Sequence, residues 1–580
     1  MRPLSKAESV FATLFIGLLL FVKFLSGNVY AQTNFTTDTT VSNNVTDTQR
    51  FKDDNITLTV TGSIEKTGDS AIHFDNAGRD GLTAVVESGA TVSATTWGAL
   101  WISNTTNATV TNRGVIKSCC ATNSRGAIRG NAATTSNTTI TNSGTIFTTG
   151  TGSTHAPIRF GSATGLTLTN YAGGEIYNTE GAVVIQTGAS ATIINSGIMR
   201  SNGTVASIDV DGNNTTVTLK EGSILVGPID ISDGTTGGTI QVEQGYGQTY
   251  FYDTMGTGAY TVQDLSGNAI VKGSAGSVGQ GAQESIDERL GLRTYNLRSA
   301  LKRYLAFPKD LIEDELYVEP FSYYSKRGSN SSILSYENYG YGLNFIYPLK
   351  SNKLDLILTV EKSELEIQRD HDVSNTNFLA GFNAKDFLSL GSWKTSGFLV
   401  AGMGWHDGKR RIYTNTTTSG LLDVTSDYSS YEVITGSNAN YRYSSGSNTW
   451  DTEVGLTFGY SLTPDYNERG FFAWEERQLW QGGVHIGETL TSKVNNKLTV
   501  TVGGELEHRT VLSGREQTYS INGTTADNRH GQFWQNSVAG KLGANYSMNN
   551  NMVAYVNVDS RFSNLFRKTY GASVGLSLNF

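Results

Sequence analysis

Thr139-Ile140-Thr141-Asn142-Ser143-Gly144-Thr145-Ile146 recurs along the first half of the chain. It appears upstream as Thr109-Val110-Thr111-Asn112-Arg113-Gly114-Val115-Ile116 and downstream as Thr192-Ile193-Ile194-Asn195-Ser196-Gly197-Ile198-Met199. Looser copies centre on Gly62, Gly89, Gly174 and Gly222, so successive anchor glycines are 27, 25, 30, 30, 23 and 25 residues apart. Between them runs a second phrase: Ala71-Ile72-His73-Phe74, Ala99-Leu100-Trp101-Ile102, Ala127-Ile128-Arg129-Gly130, Pro157-Ile158-Arg159-Phe160 and Ala182-Val183-Val184-Ile185. A steady period of roughly 20–50 residues marks stacked repeats. Each repeat holds short alternating strands, and the Asn-x-Gly and Asp-Gly punctuation reads as turns needing φ > 0. Helical periodicity is absent. The expected architecture is a right-handed parallel β-helix with Ile, Val, Leu and Ala inside and Thr, Asn and Ser outside. The glycines predict about seven rungs, or ~33 Å of stem at ~4.8 Å per stacked strand. The competing Thr/Asn-rich sandwich does not require a constant period.

Working outward, composition divides the 580 residues near position 282. Residues 32–281 hold six of the 27 tyrosines and two of the eight tryptophans, while 282–580 hold twenty and six. Such a contrast implies a different solvent for each half. Net charge −8 argues against a nucleic-acid binder, which should carry a basic face. Two cysteines cannot build a disulfide framework, a zinc finger or an iron–sulfur site. Cys119 and Cys120 are adjacent, so the chain has no long-range crosslink and can thread a narrow pore.

Gln283 to Leu305 is the one convincing helix, with Ile286, Leu290, Leu297 and Leu301 at near-helical spacing and Arg289, Arg293, Arg298 and Lys302 elsewhere on the cylinder. At 1.5 Å per residue it spans ~35 Å, about one membrane thickness. Pro308 reads as its stop. Beyond it the period becomes two. Tyr570, Ala572, Val574, Leu576, Leu578 and Phe580 share one face of the last segment, with Gly571, Ser573, Gly575, Ser577 and Asn579 on the other. Segments of ~10 residues, apolar outside and polar inside, with many aromatics, are the mark of a transmembrane barrel. Twelve are predicted, near 315–326, 339–349, 353–367, 375–388, 392–412, 430–443, 450–463, 470–483, 497–510, 531–548, 551–562 and 569–580. An even number suits closure, which removes sheet edges that lipid could not solvate. A soluble lipocalin-like barrel is the competing expectation.

At the other end, Arg2 and Lys6 precede the apolar run Val10–Val22, and Val29-Tyr30-Ala31 offers a small-residue cleavage site before Gln32. Residues 1–31 therefore read as a secretory signal rather than an anchor, because Lys23 interrupts the run short of the ~20 apolar residues a span needs. Chemistry is sparse between them. Ser70 resembles a hydrolase serine only until the repeat places it where Gly98, Gly126 and Gly181 sit. His73 occupies a variable, exposed rung position shared with Trp101, Arg129, Arg159 and Val184, and His155 is the one other histidine before 282, so a triad lacks its oriented base. Asp209-Val210-Asp211-Gly212-Asn213-Asn214 hints at calcium but lacks the later bidentate glutamate, and reads as a solvated turn. No catalytic residue, metal or cofactor is expected.

In this order of signal, β-helix, amphipathic helix, twelve strands and terminal aromatic, the chain resembles the monomeric autotransporters of Gram-negative bacteria, the type V secretion family. The segment Tyr570–Phe580 resembles the terminal signal read by the outer-membrane barrel-assembly machinery, on residues Tyr570, Val574, Leu576, Leu578 and Phe580. The resemblance implies a passenger at 32–281, a linker helix at 282–308 within the pore and a translocator barrel at 309–580. Its partners would be outer-membrane lipid, the secretion and barrel-assembly machinery, and a surface or host ligand, with no nucleic acid. Some relatives cut the passenger at an Asn-Asn pair in the pore helix; this helix holds only Asn296, which favours an attached passenger. The pore arginines would meet inward carboxylates such as Glu361 or Glu505. The expected function is display of an adhesin or other interaction module. An enzyme passenger (protease or esterase) and a pore with a periplasmic N-terminal plug are the alternatives.

Overall fold

The computed structural model describes residues 34–578 except 75–76, 120–125, 132–133, 150–154, 179–183, 272, 307–315, 350–352, 470–471, 530–533, 550–551 and 565–566. The signal region with Ala31 and Gln32, as well as Cys120, Pro308 and Phe580, lies outside the described residues.

Residues 34–264 form a parallel β-solenoid. Three sheets of ten, eight and ten strands run along it, and every neighbour pairing within them is parallel. Isoleucine and leucine stack inside in register, as in Ile72, Leu100, Ile128, Ile158, Ile185 and Ile208, all fully buried. Each such side chain contributes roughly 2 kcal/mol by leaving water. The stem therefore has eight to ten coils rather than seven. The first coil pairs Asn44–Val45 with Ser63–Lys66 and carries no anchor glycine, and two more coils follow Gly222. Nine steps of ~4.8 Å give a stem of about 43 Å.

The phrase that revealed the repeat works differently from its turn reading. Asn112, Asn142, Asn170 and Asn195 point inward, fully buried, and each amide donates to the next carbonyl oxygen at 2.7, 2.8 and 2.9 Å. Gly114, Gly144, Gly174 and Gly197 are absent from the positive-φ residues. They are glycine because the coils touch there: a Cβ on Gly144 would sit 2.1 Å from the Gly114 carbonyl oxygen. Gly89 and Gly222 do keep a positive φ, but the recurrent left-handed corner lies elsewhere, two residues before the strands that start at Thr57, Thr83, Thr109, Thr139, Thr167, Thr192 and Thr216 and one residue before the strand that starts at Gly238. Asn55, Gly81, Asn107, Asn137, Gly165, Ser190, Asn214 and Gly237 all have positive φ, which Asn and Gly tolerate best.

Three other expectations are corrected as well. Arg159 pairs with Gln186, not Val184, because Ile158 stacks on Ile185. His73 is buried rather than exposed, its ring stacked on Trp101 at 4.8 Å, with Trp97 5.3 Å beyond. Asp209 lies within the strand Ile208–Val210, half-buried, rather than in a solvated turn.

The helix spans Ala282–Ala306. Twelve antiparallel strands then close on themselves: Tyr317–Arg327, Tyr336–Pro348, Leu354–Ile367, His371–Leu390, Trp393–Thr414, Leu421–Ser445, Asn448–Thr463, Arg477–Lys493, Leu498–Ser513, Trp534–Asn549, Met552–Ser563 and Lys568–Leu578. The first pairs with the last through Phe321↔Ser573, so the barrel has no free edge. The predicted segment at 470–483 divides. Phe472–Trp474 leaves the barrel for a small four-stranded sheet, and the barrel strand starts at Arg477. Outward positions are apolar, including Leu399, Leu456, Leu506, Leu542 and Val574. Aromatics ring both ends. Tyr431 and Tyr441 lie ten residues apart on one strand, about 25 Å in height once the strand is tilted by ~40°.

Candidate functional site

Strand direction sets the two ends of the barrel apart. The connections at 349–353, 391–392, 446–447 and 494–497 are short. At the opposite end lie the longer excursions 328–335, 464–476 and 514–533. The helix runs antiparallel to Tyr317–Arg327: its first turns contact Arg327 and its last contact Glu319. Nineteen residues at 1.5 Å rise give ~29 Å, close to the height of about 25 Å that the ten steps of that strand reach when tilted by ~40°.

Charge is layered along this axis. At the long-loop end the helix is acidic and the wall basic. Glu284 lies 2.9 Å from Arg327, Glu288 2.9 Å from Arg567, and Asp287 takes both guanidinium nitrogens of Arg477. Further down the signs reverse. Arg293 meets Glu361 at 3.1 Å and Glu432 at 2.7 Å, and donates to Asn375 at 2.9 Å. Arg298 meets Glu505 and, at 3.3 Å, Glu453; Lys302 meets Glu453 at 3.2 Å and Arg303 meets Glu319 at 3.0 Å. Arg289 has no carboxylate at salt-bridge distance among the described residues and contacts His406 Nδ1 at 3.1 Å. Acid at the helix N-terminus and base at its C-terminus also suit the macrodipole. Buried pairs of this kind add little net stability but disfavour every other register or direction of the helix, which would oppose like charges. The helix is buried on nearly all sides, which explains its weak amphipathic pattern.

Gly291 is the position sequence reasoning passed over. A glycine in mid-helix costs ~1 kcal/mol relative to alanine. Here a Cβ would fall 1.3 Å from Arg509 Nη1, so its absence lets the wall arginine press against the helix backbone.

At the long-loop mouth the last solenoid coil and the barrel share one core. Tyr250–Tyr252 pairs with the end of Trp393–Thr414 through Tyr250↔Tyr413 and with Ala275–Ser277 on its other edge. Phe251, Val271 and Val278 pack with Ile412, Val424, Phe472, Trp474, Tyr519 and Ile521. Arg410 ties the parts together. It donates to Thr249 Oγ1 and the Val278 carbonyl at 3.0 Å each, to Glu468 at 2.8 Å, and lies 4.6 Å from the Phe472 ring. The small sheet turns at Asn522-Gly523, both with positive φ. That dipeptide between alternating runs was the available signal for it.

The remaining predicted residues are placed plainly. Tyr570 and Val574 face outward and are exposed, and Leu576 and Leu578 belong to the last strand. Ser70 is fully buried. Asp209, Asp211, Asp230 and Asp233 cluster near the solenoid base with no cation at salt-bridge distance among the described residues. Burial, with Asp211 and Asp230 beside it, pushes the Asp209 carboxyl up to about 7. Among the described residues no group of three or more His, Cys, Asp or Glu is placed to hold a metal, and no helix is long and apolar enough to cross a membrane, which says nothing of a barrel.

No protein-family model and no curated protein match the chain. Solved structures similar to about half of the chain are found. The translocator domain of autotransporter NalP from Neisseria meningitidis is 10% identical over 52% of this chain and 98% of that one, with a TM-score of 0.40. The transport unit of autotransporter AIDA-I from Escherichia coli gives 9%, 50%, 98% and 0.33. The β domain of the Bordetella autotransporter BrkA gives 11%, 46%, 98% and 0.32.

Proposed function

We propose that this chain is an autotransporter, whose C-terminal barrel sits in the outer membrane and holds its own N-terminal solenoid on the cell surface. The observation that carries the reading is continuity. One polypeptide passes from the last solenoid coil, through a helix matched in charge to the barrel lumen, into the barrel wall. Outer-membrane barrels keep short turns on the periplasmic side and longer loops outside. The solenoid is seated on the long-loop end, which supports display over a periplasmic plug. Sequential stacking supports export as well, since each emerging coil can fold on the one before and bias the chain outward. The signal at 1–31 and the terminal strand would engage the secretion and barrel-assembly machinery.

The displayed solenoid acts as a binding module rather than an enzyme. Its surface is a set of in-register ladders, and the one serine with a hydrolase-like context is buried. Protease added to intact cells should digest 34–281 and leave the barrel with its helix as a protected fragment; a protected solenoid would contradict display. Deleting 283–305 should at least double single-channel conductance, and unchanged conductance would remove the plug.

A further inference from the structure

The helix and the barrel wall leave a small cavity between them just below the long-loop mouth. It offers about 10 Å³ to the centre of a water-sized sphere, room for one small particle. Its walls are Gln283 and Ile286 of the helix and His371, Arg410, Ser426 and Tyr428 of the barrel. The register accounts for the space. Along Trp393–Thr414 the buried, inward row runs His406, Gly408, Arg410, so the middle layer has no side chain on that strand. Opposite Gly408 stands Ser426, with only a short hydroxyl.

Arg289 lies beneath this cavity, about one helical turn beyond Ile286, and is 3% exposed. Its Nε is 3.4 Å from the Ile286 carbonyl oxygen, so the side chain folds back toward the helix N-terminus and the cavity. The Tyr428 phenol borders both the cavity and the guanidinium. Nη2 donates to His406 Nδ1 at 3.1 Å, and an accepting Nδ1 makes that imidazole neutral, with Nε2 2.8 Å from Ser430 Oγ. Nη1 is buried with no hydrogen-bond partner among the described residues. The carboxylates that could answer its charge are taken: Asp287 by Arg477, Glu361 and Glu432 by Arg293, and Glu468 by Arg410. The charges acting on His371, across the cavity, are those of Arg410 and Arg289, both positive. A buried cation without a direct counter-charge is costly, and here two guanidiniums flank one cavity lined by hydroxyl and amide donors.

We propose that this cavity binds one small monovalent anion of the halide class, with Arg289 as its charged donor and the Ser426 and Tyr428 hydroxyls beside it. Charge selects against cations, and size selects against phosphate, sulfate and organic carboxylates. Water fits the volume but leaves the guanidinium unanswered. Arg289 and Gln283 belong to the helix and the other groups to neighbouring wall strands, so the bound ion fastens one to the other. It does so at a height where the helix has no direct ion pair, between Glu288 and Arg293.

Purified full chain in detergent micelles tests the site, with bromide and chloride as the probes. A crystal grown in sodium bromide should show an anomalous peak in the cavity beside Arg289. Water alone there, with no peak, would overturn the proposal. In solution at constant ionic strength, exchanging gluconate for chloride should raise the midpoint of thermal unfolding along a saturating curve. At about five times the dissociation constant the rise should be roughly 2–4 °C. Arg289→Met removes the charged donor, and Val373→Phe fills the cavity while leaving Arg289 in place, so both should lose the saturating response. A rise of the same size in wild type and in either folded variant would overturn the site, because it would be a general salt effect. Should neither variant fold, the wild-type bromide peak decides alone. These readouts do not depend on which side of the membrane holds the solenoid, so their failure leaves the display reading standing.

Discussion

The solenoid and the barrel use the same alternating strand and turn it in opposite directions. In the solenoid, Ile and Leu point inward and Thr points out, so the core is dry and the surface wet. In the barrel, Leu456, Leu506 and Val538 point out while Glu361, Glu453 and Glu505 are buried inside against a helix. Period two alone therefore cannot say which face meets water. What decides it is what each half must enclose: nothing but its own side chains in the first, a charged helix in the second. Even the buried polar groups differ. The solenoid holds neutral Asn amides that satisfy one another, and the barrel holds full charges satisfied in pairs.

The largest test of this contrast is Arg293→Met, which leaves Glu361 and Glu432 buried without their cation. Breaking a buried pair in this way costs about 3–5 kcal/mol, read as a lower urea midpoint in vesicles. Adding Glu361→Gln and Glu432→Gln should recover much of the loss, because the uncompensated charge is then gone. Next in size is one substitution made in both regions. Leu542→Arg on the barrel exterior should cost about 2–4 kcal/mol in a bilayer. Tyr171→Arg, equally exposed on the solenoid at 50% against 51%, should stay within about 0.5 kcal/mol. Similar costs at the two sites would break the comparison.

Asn142→Ala removes the middle of the amide ladder and leaves the Asn112 and Asn170 amides short of partners. A loss of roughly 1–3 kcal/mol in solenoid unfolding is expected. The last test is the pH dependence set by Asp209. Burial raises its pKa in the folded state above the usual carboxylate value, so the folded form holds a proton that the unfolded form has released. Its contribution to solenoid stability should be fully present below about pH 4 and be lost as pH rises through about 7. Asp209→Asn should flatten the slope in a pH series of thermal melts.

Much of this was legible in the chain, for physical reasons. Stacking forces like residues to the same depth in every coil, so the repeat is written as Thr-apolar-Thr-Asn. The barrel strands are long enough for period two to stand out. The parts that escaped depend on contacts distant in sequence. The inward turn of Asn142 and the tight spacing at Gly144 are set by the neighbouring coil, and local turn chemistry points the other way. His73 is buried by Trp101, 28 residues on. The mouth, where Arg410 links Thr249 to Glu468, joins residues more than 150 apart in sequence. The pore pairs at Glu361 and Glu505 were anticipated, but Glu432 and Glu453 were not, because the strand pattern marks which face is inward and not its height along the lumen.

The central claim is one of sidedness: the solenoid and the long loops are outside, and the short turns are not. An epitope tag inserted at the Gly446-Ser447 turn and, in a second strain, at the Gly234 turn of the solenoid tests it directly. Antibody should bind intact cells carrying the Gly234 tag, and should reach the 446–447 tag only after the outer membrane is opened. Binding to the 446–447 tag on intact cells, with the Gly234 tag hidden, would contradict the account.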